Sequence, residues 1–467
     1  MLAAAVLGSG VAFLDSTVVT VALPTIAEDL GASFSQLQWI SNAYLLTLGS
    51  LVLVGGAMGD RFGRRRLFVA GLALFTLASL ACGLAPSAEF LIAARAVQGV
   101  GAAMLTPVSL GMLQAVYRNE DTGRAVGLWS GLSGVSTAAG PFLGGWLVDA
   151  ATWRLVFVIN VPIAGAAIAI AVRHIPETRD PGAQGRPVDV LGGALVTFAL
   201  AALVWPLIEQ DAANGVRVAS LLASAVAFVA FVLTERRVEY PMLPLGLFRS
   251  RPFTVLNLYT LALYGALSAT LFLLTVHLQV NLGYSALLAG VSSLPITVLL
   301  LMMSPRAGAR SGRSGPWPLL VWGASIAGLG LLLLTRVEPG VSYLTAVFPG
   351  VLVFGVGLGL LVAPLTSSAL AVVGADRAGI ASGVNNAVAR VAGLLAVAGV
   401  PLVAGISVLG SDGSAATGPG SLADGFAAAM VVCALLCLVS AVVAALALPR
   451  GVLTPVLAAG ADGGEDS

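Results

Sequence analysis

The chain has 467 residues, 58% of them hydrophobic and only 10% charged. Soluble domains carry about a quarter charged residues, so an ordinary globular enzyme is excluded, while a net charge of +1 points to no class of partner. All 23 basic residues are Arg, and without Lys the chain can build neither a standard P-loop nor a pyridoxal Schiff base, which excludes ATP-driven pumping by that route.

Apolar runs at 2–24, 38–58, 67–85, 90–116, 124–148, 154–172 and 190–208 predict the first seven spans of an all-α membrane protein. Runs at 216–234, 253–280, 285–304, 317–335, 342–371, 378–406 and 423–448 predict seven more. Each matches or exceeds the roughly 20 residues, with a range of about 17–25, that a bilayer requires. The first run lacks the basic flank of a cleavable signal peptide and carries an Asp. Eighteen arginines fall in alternate loops and the tail, against three in the opposite loops, Arg154, Arg217 and Arg336. The positive-inside rule then places the Arg-rich side and both termini in the cytoplasm.

An ionisable group inside a span is costly and is a functional candidate by default. Asp15 in span 1 lies nine residues before Pro24, roughly 13 Å from the outer end. A carboxyl at that depth is suited to taking up and giving back a proton. Arg95 in span 4 enters about 9 Å from the same surface, at overlapping depth. A guanidinium stays charged, so its approach favours the carboxylate and its withdrawal favours the protonated acid. Helix motion and proton exchange are thereby coupled.

The loop after span 2 reads GAMGDRFGRRRL, Gly56 to Leu67. Gly56 and Gly63 permit close helix approach and a tight turn. Asp60 can accept from Arg64 or sit at the positive end of a neighbouring helix, with Arg61 in the adjoining cluster. The pattern reads as a cytoplasmic gate. Span 5 carries GPFLGGWL, in which Pro141 bends the helix and Gly140, Gly144 and Gly145 admit a packing partner, as a hinge or outer seal would.

His277, near the outer end of span 9, either relays protons or bonds to headgroup water. Arg390, twelve residues into span 13 beside Asn385 and Asn386, supplies either cavity polarity or structural pairing. The glycines Gly355, Gly357 and Gly359 in span 12 follow no strand and read as helix packing rather than a dinucleotide loop. Cys82, Cys433 and Cys437 lie in apolar runs and read as buried hydrophobes, and no metal site is expected.

The chain repeats itself. GDRFGR at Gly59–Arg64 recurs as GARSGR at Gly308–Arg313, with Ala309 in place of the Asp, and GRAVG at Gly123 recurs as GIASG at Gly379. Both offsets equal eight spans. The parse is a six-helix bundle over 1–175, a two-helix insert with cytoplasmic linkers over 176–250, a second six-helix bundle over 251–450 and a disordered cytoplasmic tail over 451–467. Paired halves with a midplane site are a transporter layout.

LDSTVVTVALP (Leu14–Pro24), GAMGDRFGRRRL, RAVQGVGAAMLTP (Arg95–Pro107), GPFLGG and WRLVFVINVP (Trp153–Pro162), in that order, resemble signatures of the major facilitator superfamily. With QVNLGYS (Gln279–Ser285) and ASGVNNAVARVAG (Ala381–Gly393), the whole chain resembles its fourteen-spanner drug:proton antiporters. The resemblance implies a rocking exporter of lipophilic compounds in the bacterial inner membrane, exchanging them for protons. It implies coupling by Asp15 and Arg95, a gate at Asp60 and Arg64, and an antiporter motif at Gly140 and Pro141. Two positions depart from the family pattern: Ser136 stands where a further Gly is usual, and His277 where an aromatic residue is common.

The expected substrate cavity includes Trp39, Asn42, Tyr44, Gln98, His277, Asn386 and Arg390. With no second buried carboxylate in spans 9–14, neutral or monocationic substrates are expected over dications. The expected partners are a lipophilic small molecule, protons and the bilayer, with no nucleic acid and no cofactor, and the protein is expected as a monomer. An alternative is a narrow exporter of one endogenous metabolite or antibiotic. A remote alternative is a receptor or intramembrane enzyme, but neither His174 nor His277 has an acid nearby in its span, and no sizeable extramembrane domain is present.

Overall fold

The computed structural model describes residues 1–117, 120–183, 185–373, 378–406 and 421–448; the expected tail at 451–467 lies outside them. Among the described residues there is no strand. The helices are α1 (Leu2–Leu30), α2 (Phe34–Phe62), α3 (Arg64–Gly83), α4 (Ala88–Val116), α5 (Glu120–Ala150), α6 (Leu155–Val158), α7 (Asn160–His174), α8 (Val190–Ile208) and α9 (Asn214–Arg237). They continue as α10 (Arg251–Val280), α11 (Ala286–Ser292), α12 (Leu294–Ser314), α13 (Trp317–Leu334), α14 (Phe348–Ala371), α15 (Ala378–Val403) and α16 (Leu422–Ala447). Thirteen helical segments among the described residues are long and apolar enough to cross a membrane, and α5 adds a helix of 31 residues. The chain is a multi-pass membrane protein.

The helices lie where the apolar runs fall, with instructive differences. α1 does not stop at Pro24 but runs on to Leu30, ending where Gly31 turns left-handed (φ 61°) and donates its N–H to the Ala27 carbonyl. Proline removes one backbone donor without forcing a stop when neighbouring helices hold the segment, and Pro24 is buried. The sixth run is broken into α6 and α7 at Ile159, and the tenth into α11 and α12 at Ser293.

α1 to α7 pack among themselves, chiefly α2 and α3 on α4 and α5 and α7 on α1; α10 to α16 form a second group, led by α10 on α15 and α16 and by α14 on α12 and α13. The α8–α9 hairpin lies outside both groups. Ser220 and Ser224 of α9 donate to the carbonyls of Ala202 and Ala199 on α8, both at 2.8 Å. α8 in turn rests on α2 and α15 together, with the Thr197 hydroxyl donating to Ser50 at 2.8 Å.

At the end bearing the Arg-poor loops, one continuous core joins the two groups, with Leu23, Ile26 and Phe34 against Phe272, Leu273 and Val276. The rings of Phe34 and Phe272 are 6.1 Å apart. Toward the Arg-rich end, the first group closes on a separate core of Leu67, Phe68, Leu105 and Met112. There Leu128, Leu132 and Val135 of α5 and Val298, Leu301 and Met302 of α12 are exposed. The groups therefore share a core at the Arg-poor end, while at the other end Leu53 of α2 still packs against Phe253, Ala381 and Val384 and the named faces of α5 and α12 are uncovered.

Candidate functional site

Asp15 sits midway along α1 and is completely buried, as are Ser79, Gln98 and Asn160; Arg95 is 2% exposed. Four helices deliver these groups to one point, because α1, α3, α4 and α7 each place one or two polar side chains on an otherwise apolar inner face. Arg95 Nη1 donates to Asp15 Oδ2. Asp15 Oδ1 accepts from Gln98 Nε2 and Asn160 Nδ2, both at 2.9 Å. The Ser79 hydroxyl accepts from Asn160 Nδ2 at 3.0 Å and Gln98 Nε2 at 3.2 Å, and donates to the Phe157 carbonyl at 2.9 Å.

Arg95 is held from the α2 side as well. Its Nε donates to the Ile40 carbonyl at 3.2 Å, and its guanidinium lies 4.2 Å from the Tyr44 ring centroid. Tyr44 donates to the Ala12 carbonyl of α1 at 3.1 Å. Both carboxylate oxygens thus have donors, and the ionised form is provided for without water. A buried charge is tolerated only when so paired. Asn160→Ala removes one donor from this network. The purified variant is expected to lose about 1–3 kcal/mol, the cost of an unsatisfied buried group, and an unchanged melting temperature would contradict that.

The structure brings Asp15 and Arg95 together and adds Tyr44 and Gln98 to them, although these two were expected in a substrate cavity. Both are fully packed here instead. Asn160 and Ser79 were missed; the available signal was a polar side chain inside an apolar run. Trp39 is placed at the edge of α8: its indole N–H donates to Glu209 at 2.8 Å, and its ring packs in the cluster of Leu200 and Ile208 of α8 with Leu394 of α15. Asn42 is completely buried with neither amide atom partnered.

His277 is not at headgroup water. It is 1% exposed and stacked on Phe426 at 4.0 Å, with Nε2 3.1 Å from the Val337 carbonyl and Nδ1 2.8 Å from Asn281 Nδ2. With the Asn281 amide as donor, the tautomer is fixed with the proton on Nε2. Both ring nitrogens are used, and the residue pins α10 to α16. Asn386 and Arg390 remain partly accessible on α15.

At the Arg-rich end, Asp60 accepts from Arg64 Nε at 2.9 Å and Nη2 at 2.7 Å, and Arg64 Nη1 donates to the Gly111 carbonyl of α4 at 3.1 Å. Gly63 adopts φ 115°, which only glycine takes readily. Glu177, missed by sequence reasoning, accepts the Arg65 and Arg66 amides at 3.0 and 3.2 Å at the start of α3. Arg61 lies over Phe62 at 4.9 Å. Gly56 faces Pro107 of α4, which lies 3.4 Å from where a Cβ would stand. These contacts lie within the first group and its following linker.

The glycines of α5 serve two partners. Gly140 faces Thr17 and Leu14, and Gly144 faces Val18, on α1; Gly145 faces Leu287 of α11. Pro141 offers its carbonyl against Gly290 of α11. Asp149 closes this seam across the groups, accepting from the Ala286 and Leu287 amides at 3.1 and 3.0 Å. Where Ser136 replaces the usual glycine, space comes from Gly10 on α1, whose Cβ would stand 2.8 Å from the Ser136 hydroxyl.

A sequence model described as Major Facilitator Superfamily matches residues 5–397. The chain is 38% identical over 396 residues to a puromycin resistance protein of Streptomyces alboniger, covering 82% of this chain and 77% of that one. It is 35% identical over 392 residues to a tetracenomycin C resistance and export protein of Streptomyces glaucescens, covering 82% and 72%. It is 34% identical over 385 residues to a multidrug resistance protein, Stp, of Mycobacterium tuberculosis, covering 82% and 71%. Among solved structures, a peptide transporter in complex with sulfate superimposes with a TM-score of 0.71 at 12% identity over 95% of this chain and 93% of that one. A D-xylose-proton symporter does so with 0.66 at 14% over 96% and 97%.

Proposed function

The chain belongs to the Major Facilitator Superfamily, and from that premise we propose that it exports lipophilic drugs or toxic small molecules in exchange for protons by alternating access. Its relatives are antibiotic and multidrug resistance and export proteins. The observation that carries the coupling is the buried Asp15–Arg95 pair, satisfied by Gln98 and Asn160.

In this reading the protein is a fourteen-spanner antiporter of the bacterial inner membrane, with two six-helix pseudo-repeats, a two-helix insert and both termini cytoplasmic. The conformation is then an inward-facing one with the Asp15–Arg95 pair formed. Arg95 takes its seat from Ile40 and Tyr44 of α2, and α2 packs on α15 across the groups, where Gln38 donates to the Val397 carbonyl at 2.8 Å. Rocking at that seam moves the seat of Arg95, Asp15 binds a proton from outside, and the return stroke discharges it inside. Asp60 and Arg64 stabilise the Arg-rich end of the first group, and the α5–α11 seam closes the outer mouth.

The test is a pH gradient imposed across inverted membrane vesicles. Substrate addition is expected to dissipate the gradient in vesicles holding the protein and not in control vesicles; equal behaviour of the two would sink the proposal. The relatives named for single antibiotics favour a second reading, export of one endogenous metabolite. It predicts gradient dissipation by one compound of a broad panel rather than many.

A further inference from the structure

Two arginines lie in the interior of the spans, and the structure treats them oppositely. Arg95 has a carboxylate. Arg390, about 18 Å along α15 from its Arg-rich end, has none: the ion pairs among the described residues belong to Arg64, Arg65, Arg66, Arg95 and Arg154. Its guanidinium lies across the group boundary, 5.2 Å from the ring centroid of Phe13 on α1. Its own Cβ stands 3.1 Å from where a Cβ of Gly49 on α2 would be. The phenols of Tyr44 and Tyr264 are within its electrostatic reach.

Asp15 cannot serve as its counter-ion, because that carboxylate is enclosed and its two oxygens already hold three donors. Arg390 cannot shed its charge either, since a guanidinium stays protonated. An unpaired cation at this depth is costly, yet Arg390 keeps partial access, with Asn386 one turn before it and also accessible.

We infer that Arg390 is the substrate-docking cation and that the transported compound is a lipophilic organic anion carrying a carboxylate or an ionised phenol. This rests on the exporter reading above and revises the expectation of neutral or monocationic substrates. The anion supplies the missing counter-charge, and its apolar body lies on Phe13 beside Arg390. Asn386 adds an amide donor on the same face of α15. A cationic compound meets a fixed like charge with no carboxylate to offset it. Export of one monoanion against one incoming proton moves two charges inward, so an interior-negative potential drives the cycle forward.

The experiment uses purified full-length protein and a panel of aromatic compounds in matched triplets, each a carboxylate, its primary amide and a trimethylammonium analogue. Carboxylates are expected to raise the melting temperature where their amide and ammonium counterparts do not. Arg390→Gln is expected to weaken carboxylate binding by roughly ten- to a hundredfold, the range of a charge-assisted hydrogen bond, and Arg390→Lys to restore part of it. Elution profile and melting without ligand establish that both variants fold.

Ammonium members binding as tightly as carboxylates would overturn the inference, as would unchanged carboxylate affinity in Arg390→Gln or a panel in which no carboxylate binds. Chloride titrated into gluconate buffer is the control, and stabilisation by chloride without any carboxylate effect overturns it too. Compounds that bind are then tested in proteoliposomes. Carboxylates that bind but never move with protons count against the exporter reading and leave the docking site standing. Proton-driven movement of ammonium members alone counts against the docking site and leaves the exporter standing.

Discussion

Asp15→Asn is expected to reach the membrane and to lose uphill, proton-driven export down to the vesicle background, while substrate-for-substrate counterflow persists. The amide cannot carry an exchangeable charge, so the cycle turns without its driving ion. The substitution also strands Arg95, which is 2% exposed, and removing one partner of a buried pair costs about 3–5 kcal/mol. The double variant Asp15→Asn with Arg95→Gln, neutral at both positions, is expected to recover much of that stability and none of the coupling. Recovered stability with lost coupling separates the proton-carrying role from a fold-holding one. Uphill export at the native rate in Asp15→Asn would refute the mechanism.

Gly290→Leu is expected to force the Arg-poor end apart. Gly290 is seated directly on the Pro141 carbonyl and Gly145 on the α11 backbone, where Ala286 O stands 2.6 Å from a would-be Cβ. Overpacking a close-fitted contact costs roughly 1–3 kcal/mol, which shifts a two-state equilibrium by about 5- to 150-fold. Spin labels at Ala151 and Ser285 are expected to move apart, and transport is expected to fall because the mouth no longer closes. Unchanged label distances together with unchanged transport would show that the seam is not a gate.

Much of this was legible in the residues and some was not, for a common reason. Hydropathy and Arg placement report depth along the membrane normal, so the spans and the level of Asp15 and Arg95 could be read. The direction a side chain faces around its helix depends on which neighbours pack there. Trp39, Tyr44, Gln98 and His277 therefore have the depth expected of cavity residues but point to α8, into the Asp15 cluster or against Phe426. Asn160 and Ser79 are single polar residues in apolar runs, and only the fold brings their helices together, Asn160 onto the Asp15 carboxylate and Ser79 onto Asn160. Asp149 lies just past the fifth apolar run, and its partners are backbone amides of α11, which no side-chain pattern encodes. The glycines of α5 were recognisable as a packing surface, but their division between α1 and α11 is a property of the assembled helices.

The α8–α9 hairpin has a mechanical consequence. Because α8 lies on α2 and α15 at once, it braces one edge of the boundary between the two groups. In the proposed rocking cycle the unbraced edge, where α5 faces α11 and α12, is the one free to travel farther. On the α5 side that edge presents the uncovered apolar side chains of Leu128, Leu132 and Val135.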